Sequence, residues 1–217
     1  MRRRVLDRFY SWLCCAAWRL AEHRELRGIQ VGVSPTVHAE QASFAKIDDA
    51  LALIEAYDRR RFQRIRAHVR RVHAFGIQAD YLGSWVDSVK TCLLAADWVG
   101  RADTRPVDIA SAIVHEATHA RLSRFGYDEP QRKRIEQMCH RQEEIFAARL
   151  PDAQDLVDEA RRAQTRPSAF YSSTSLQEHR LRALRSVGAP AWIVRALGVL
   201  LRAVPPNMRL KLPGAPK

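Results

Sequence analysis

Apolar positions recur with the period of an α-helix in the first part of the chain. Residues 5–21 place apolar side chains on one helical face and charged side chains on the other. The members of the apolar face are Leu6, Phe9, Leu13, Ala17 and Leu20. The same spacing predicts a second helix from Phe44 to Tyr57, while "RGIQVGVSP" between the two is typical of a loop or a short strand.

Two apolar runs without helical spacing predict strands. "VHAFGI", residues 72–77, is bounded by polar residues, and "TCLLAADWV", residues 91–99, ends at Gly100. We therefore expect a small sheet in which the 91–99 strand is buried or half-buried.

A pair of consecutive helices follows these strands. Asp103 or Thr104 can cap the first, and Pro106 suits its first turn, so that this helix covers residues 106–124. "FGYDEP" then breaks the pattern, and the next helix covers residues 129–149. A turn this short predicts an antiparallel hairpin.

The charge balance is strongly basic, with 36 Lys+Arg against 24 Asp+Glu and a net charge of +12. Such an excess favours anionic partners. Most of it is arginine, however, which a high genomic GC content can enrich without a functional reason. Residues 59–71 carry seven arginines in "RRRFQRIRAHVRR", and a solvated helix face or edge strand is favoured there over a phosphate-binding patch.

Cysteine usage and the N-terminus bear on the cellular compartment. The four cysteines have no metal-binding spacing and are too few for a disulfide framework. The N-terminus starts like a signal peptide, but Asp7 and Arg8 stand where its apolar core should begin. No stretch reaches the roughly 18–20 apolar residues of a membrane span. The sequence therefore predicts a cytoplasmic protein.

The stretch "IVHEATHARL" carries the chemistry of this sequence. His115 and His119 are four residues apart, so on a helix they lie on one face with Cβ atoms about 5–6 Å apart. Two imidazole nitrogens so placed can converge on one tetrahedral metal ion. Glu116, one position further round the helix, can reach a water bound to that metal and act as a general base.

"HEATH" on a helix, preceded by a strand and followed by a helix bearing glutamates, resembles the zincin metallopeptidases. "EEIFAARLP" is similar to a segment of the small zinc proteases that cleave bacterial repressors. The resemblance covers residues 91–151 and implies the fold, a Zn²⁺ ion and peptide hydrolysis. It also implies a gluzincin-like site, whose third ligand is a downstream Glu, because Leu122 and Phe125 stand where other zincins have Gly and a third His.

Counting along the hairpin indicates which glutamate is the third ligand. With a tight turn and a rise of about 1.5 Å per residue, the level of the two histidines lies opposite residues 135–139. Glu136 is at that level and is the favoured ligand, while Glu143, two turns further, is the alternative for a looser hairpin. His140 and Cys139 flank the position, and His140 is a candidate neighbour or alternative ligand.

The expected mechanism is water attack on a carbonyl with Glu116 shuttling the proton to the leaving amine. The oxyanion needs the metal and one further donor, for which Tyr171 and His179 are candidates, although ordinary packing roles are also open to them. The resemblance further implies that the strand at 91–99 lies along the cleft and pairs with an extended substrate.

The predicted fold class is α+β, mostly helical, with a zincin-like core made of a small sheet, an active-site helix and a Glu-bearing helix. Residues 1–28 form an N-terminal amphipathic helix, residues 29–188 the catalytic domain, and residues 189–217 a C-terminal amphipathic helix with a disordered tail. The two terminal helices either pack on the core or attach to the anionic inner face of the membrane.

The leading hypothesis is a zinc metallopeptidase acting on a peptide or protein. Two alternatives remain: a zincin-fold zinc sensor or interaction protein without turnover, and a basic nucleic-acid-binding protein with an incidental motif. The arginine run is the only feature that favours the last, so nucleic acid is not the expected partner.

Overall fold

A five-stranded sheet lies at the centre of the computed structural model, which describes residues 11–12, 14–35, 40–76, 82–125, 129–171, 191–192 and 195. The strands are β1 (Glu22–Leu26), β2 (Ile29–Val33), β3 (Arg71–Phe75), β4 (Gly83–Val86) and β5 (Thr91–Ala95). Their spatial order is β1-β2-β3-β5-β4. The inner strands β2, β3 and β5 are parallel, and the two edge strands are antiparallel to their neighbours.

Helices make up most of the remaining described chain. They are α1 (residues 11–12 and 14–20), α2 (Glu40–Tyr57), α3 (Arg59–His68), α4 (Ala96–Gly100), α5 (Pro106–Leu122), α6 (Glu129–Ala147) and α7 (Gln154–Gln164). Short 3-10 turns cover Asp87–Val89, Ser123–Phe125 and Ser168–Tyr171. The chain is therefore of mixed α and β structure and mostly helical, as predicted.

The main hydrophobic core lies between one face of the sheet and the helices α2 and α5. Alternate strand residues point into it, as the two-residue period of a strand requires. Its members include Val31, Val72 and Leu94 from the sheet, Phe44, Ile47, Leu51 and Ile54 from α2, and Ile109 and Ile113 from α5. This packing fixes the rotation of α5 and so determines which of its side chains face away from the core.

The opposite face of the sheet is covered by α1. Cys14 packs there with Val86 and Leu93. The ring of Trp18 lies so close to β2 that a Cβ at Gly32 would stand 2.7 Å from its Cζ3 atom. A glycine at this strand position therefore allows α1 to approach the sheet.

The apolar face predicted for residues 5–21 is wrong at Leu20, which is 75% exposed, whereas Cys14 is buried. Ala17 is half-buried, and Leu6, Phe9 and Leu13 lie outside the residues whose side chains the structure describes. The guanidinium of Arg71 lies 4.6 Å from the centre of the Trp18 ring. The cation–π contact with Arg71 and the space above Gly32 turn the Trp18 side of the helix toward the sheet. Helical periodicity alone did not show which side faces the sheet.

The predicted elements match the described ones to different extents. The helix predicted to begin at Phe44 begins at Glu40, and the strand predicted at 91–99 ends at Ala95, where α4 begins. Neither predicted cap starts α5. Its N-cap is Arg105, whose backbone N–H donates to Asp108 Oδ2 at 2.9 Å.

The arginine-rich segment from residue 59 forms α3, with its basic side chains largely on the solvent side, and then enters β3. Strands β1 and β4 have no counterpart among the predicted elements. β1 lies within the 1–28 segment assigned to an N-terminal helix, yet it pairs with β2. Among the helices that the structure describes, none is both long and apolar enough to cross a membrane.

Candidate metal centre

The two histidines of the motif and the predicted glutamates meet across a helix hairpin. His115 and His119 lie on α5, and Glu136 and Glu143 on α6, with the turn Ser123–Phe125 following α5. The hydrophobic residues of α5 pack on the sheet and α2, so its histidine face is left for α6. The expected hairpin thus brings these four side chains together.

The atoms suited to bind a metal lie close together. His115 Nε2 and His119 Nε2 are 3.2 Å apart. Glu136 places Oε2 at 3.3 Å from His115 Nε2 and Oε1 at 3.5 Å from His119 Nε2. Ligands bonded at 2.0–2.1 Å around a tetrahedral zinc ion stand about 3.3–3.4 Å from one another. Each of these three distances is close to that between two ligands of one metal ion, with a different oxygen of Glu136 near each histidine.

Glu143 lies on the other side of the His115 ring. Its Oε2 is 3.3 Å from His115 Nδ1 and 2.5 Å from His140 Nδ1. His115 is consequently held between two carboxylates, with Glu136 at Nε2 and Glu143 at Nδ1. A histidine that binds a metal through one nitrogen commonly bonds a carboxylate through the other, which fixes its ring orientation.

Cys139 is also in this cluster. Its side chain is fully buried, and its sulfur and one ligand atom each of His115 and His119 lie within 4.8 Å of one another. A second group, His115, His140 and Glu143, satisfies the same distance limit. The described residues thus contain more donors than the four that a tetrahedral metal ion takes.

The charges of the cluster are complementary. Burial would lower the pKa of His119, but Cys139 and Glu136 raise it to about 10. Burial also disfavours protonation of His115, yet Glu143 and Glu136 hold its pKa well above the usual value. Burial would raise the pKa of the carboxyls, but the imidazoles hold that of Glu136 far below its usual range and His115 lowers that of Glu143 to about 2. The pocket favours positive charge between carboxylates, and a metal ion can supply it once the imidazoles release their protons.

Glu116 is buried against the edge of the sheet, and its pKa is influenced by His115, His119, Glu136 and Glu143. It is 5% exposed, and burial is the main cause of its raised pKa. Its carboxylate lies against β4, since a Cβ at Gly83 would stand 3.0 Å from Glu116 Oε1 and 3.1 Å from Glu116 Cγ. Gly83 was not singled out in the sequence, where a single glycine at the start of a four-residue strand gives no functional signal.

Of the two residues predicted to donate a hydrogen bond to the oxyanion, Tyr171 lies among the described residues. Tyr171 is buried, and burial followed by the charge of Glu136 raises its pKa. Its hydroxyl donates to the carbonyl oxygen of Ala163 at 3.3 Å, and its own carbonyl accepts from Arg132. A role as donor would require the hydroxyl to leave Ala163, so this role stays a prediction. His179 lies outside the described residues.

The prediction that the strand at 91–99 pairs with an extended substrate is wrong. β5 is paired on both sides, with β3 and with β4, so its backbone groups are occupied. The strand that lies at the edge, beside Glu116, is β4.

A comparison of the chain with family models, curated proteins and solved structures finds no significant match to any of them. The resemblance to zincins therefore depends on the motif and on the side chains gathered around it. The structure shows a group of His, Glu and Cys side chains that can hold a metal ion on a fold of mixed α and β structure.

Proposed function

We propose that this protein is a zinc-dependent metallopeptidase. The observation that carries the proposal is the closeness of His115 Nε2, His119 Nε2 and the Glu136 carboxylate. The two nitrogens are 3.2 Å apart, and Glu136 places Oε2 at 3.3 Å from the first and Oε1 at 3.5 Å from the second. Glu116, on the same helix, is a buried carboxylate whose pKa is influenced by both histidines. Nitrogen and oxygen donors of this kind suit Zn²⁺, and three protein ligands are the usual number in a catalytic site.

In this proposal His115, His119 and Glu136 bind the metal. When bound, zinc supplies Lewis acidity toward a carbonyl oxygen and lowers the pKa of a water ligand to about 7. Glu143 keeps His115 Nε2 directed at the metal through its contact with Nδ1, which is 3.3 Å away. His140, which contacts the same carboxylate, holds Glu143 in that position.

Glu116 is the proposed general base. Its carboxylate takes the proton from the attacking water and delivers it to the leaving amine. Burial raises the pKa of Glu116 above that of an ordinary glutamate, and a pKa closer to the working pH improves both steps. The contact with Gly83 on β4 limits the positions that the carboxylate can take.

The edge strand β4 is the proposed site for an extended peptide. β4 is terminal in the strand order, so one edge of it is not used by the sheet. An extended peptide can add to such an edge through main-chain hydrogen bonds. A peptide bound there would pass the strand residue that touches Glu116, next to the proposed base.

Metal analysis combined with one conservative substitution tests the proposal. The purified protein should contain one zinc per chain and hydrolyse peptides. Glu116→Gln should keep the zinc and lose two or more orders of magnitude of activity, because the base is lost while both imidazoles remain. Glu144→Gln on α6, which replaces a carboxylate paired with Arg161, is the matched control and should behave as the wild type. A protein without zinc, or unchanged turnover in Glu116→Gln, would contradict the proposal.

The second candidate function is zinc binding without turnover, as in a sensor or interaction protein. Cys139 favours it, because a fourth protein ligand would complete a closed site of the structural type. The two candidates differ in whether a coordination position is open to water.

A further inference from the structure

We propose that Cys139 is a fourth ligand that closes the metal site, and that peptide hydrolysis requires its sulfur to leave. This inference rests on the proposed zinc site. It concerns how that site is regulated, since zinc with four protein ligands has no position for a catalytic water.

The position of Cys139 on α6 supports this role. Glu136 and Cys139 are three residues apart, which places them on one face of the helix. The sulfur already lies within 4.8 Å of ligand atoms of His115 and His119. Bonds of about 2.3 Å to sulfur and 2.0–2.1 Å to nitrogen would require N···S distances of about 3.5 Å. A contraction of at most about 1.3 Å therefore brings the thiol into the coordination sphere.

The chemistry of the donor set agrees with this position. Thiolate is a favoured zinc ligand, and two imidazoles with one thiolate and one carboxylate would neutralise the charge of Zn²⁺. The Cys139 side chain is fully buried, so a thiolate there needs a cation beside it. Zinc held by the other three residues would provide that cation.

The alternative is that Cys139 only fills space. It packs with Leu122 and Ile135 in a small buried cluster, which any small apolar side chain could do. A packing residue would leave no sulfur signature on the metal, and its removal would not open a coordination position. The two roles can therefore be separated by spectroscopy and by activity.

The first test replaces zinc with Co²⁺ in the full-length protein. A cysteine ligand gives a sulfur-to-cobalt charge-transfer band in the near ultraviolet. We expect this band in the wild type, and its loss in Cys139→Ala and Cys139→Ser while cobalt remains bound. Cys14→Ala is the matched control, because Cys14 is another buried cysteine but lies on the opposite face of the sheet, and it should keep the band.

Each outcome of this test has a distinct meaning. One bound cobalt without the band in the wild type overturns the role of Cys139 and leaves the proposed metal site standing. No stoichiometric cobalt overturns the metal site itself. The wild-type spectrum decides the question even if a Cys139 variant fails to fold.

The second test measures peptide hydrolysis per bound zinc. Cys139→Ala should increase it relative to the wild type and to Cys14→Ala, because the vacated position becomes available to water, while zinc affinity falls. An unchanged or lower activity in a zinc-loaded, folded Cys139→Ala protein would overturn the regulatory part of the inference, even if the charge-transfer band is present.

Discussion

Histidines in two regions of this protein respond to their surroundings in opposite ways. In the α5–α6 hairpin, neighbouring acidic groups outweigh burial and raise the pKa of His115 and His119. On the other face of the sheet, burial lowers the pKa of His73 to about 4, and the charges of His23 and Arg71 add to the effect.

The surroundings of His73 explain this contrast. Its ring meets the edge of Trp18 at a centroid distance of 5.2 Å and stacks on Phe75 at 5.4 Å. Its Nε2 has no hydrogen-bond partner among the described residues. His73 has aromatic rings as neighbours, whereas His115 has carboxylates. His73 is therefore a neutral residue with a packing role. A buried histidine indicates a metal site only when counter-charges and further donors lie beside it.

The largest difference between the two regions should appear in metal content. His115→Ala and His119→Ala should each abolish stoichiometric zinc, because each removes one proposed imidazole ligand. His73→Leu, which removes an imidazole from the aromatic group, should retain one zinc per chain by elemental analysis. Zinc loss in a folded His73→Leu protein would contradict the packing role assigned to His73.

Within the hairpin, the two carboxylates should differ in their effect on zinc affinity. Glu136→Ala removes a proposed ligand, whereas Glu143→Ala removes the contact that orients His115, a change that commonly costs about 10–100-fold in affinity. Competition with a chromophoric chelator should therefore give the weaker binding for Glu136→Ala. If Glu143→Ala releases zinc and Glu136→Ala keeps it, the two roles are exchanged.

A smaller effect is expected where the sheet touches the proposed base. In Gly83→Ala the new Cβ would lie 3.0 Å from Glu116 Oε1, so the carboxylate must move. We expect turnover to fall about tenfold, since small misplacements of a catalytic group are costly, with zinc content unchanged. Ser84→Ala on the same strand is the control. Equal turnover in the two variants would mean that Gly83 does not position Glu116.

The smallest effect concerns pH and the aromatic region. The pKa of His73 is lower in the folded protein, about 4 against 6.5, so the unfolded chain binds more protons between these values. The stability due to neutral His73 is therefore complete above pH 6.5 and is lost as the pH falls toward 4. The loss is on the order of 3 kcal/mol.

Urea unfolding of the metal-free protein should detect this dependence. His115 and His119 are unchanged in His73→Leu, so the difference between the variant and the wild type isolates the contribution of His73. The free energy of unfolding of His73→Leu should fall less than that of the wild type between pH 6.5 and 4. Parallel curves for the two proteins would contradict the pKa given for His73.

The sequence by itself determined the local features of the site. The four-residue spacing placed His115 and His119 on one helical face, and the turn after α5 with the rise per residue placed Glu136 and Cys139 at their level. These relations depend only on helix geometry and loop length. The strands β3 and β5 were likewise evident from short apolar runs.

Only the tertiary structure decided the relations between distant segments. β4 has only four residues, too few to be recognised alone, yet it forms one sheet edge and places Gly83 against Glu116. The contact of Glu143 with His115 Nδ1, and of Glu136 with Nε2, depends on the rotation of α6 against α5. The choice of the Trp18 side of α1 depends on Gly32 and Arg71, far away in sequence. Periodicity shows which residues share a face of a helix or strand. The element that this face packs against is determined by contacts between segments that are distant along the chain.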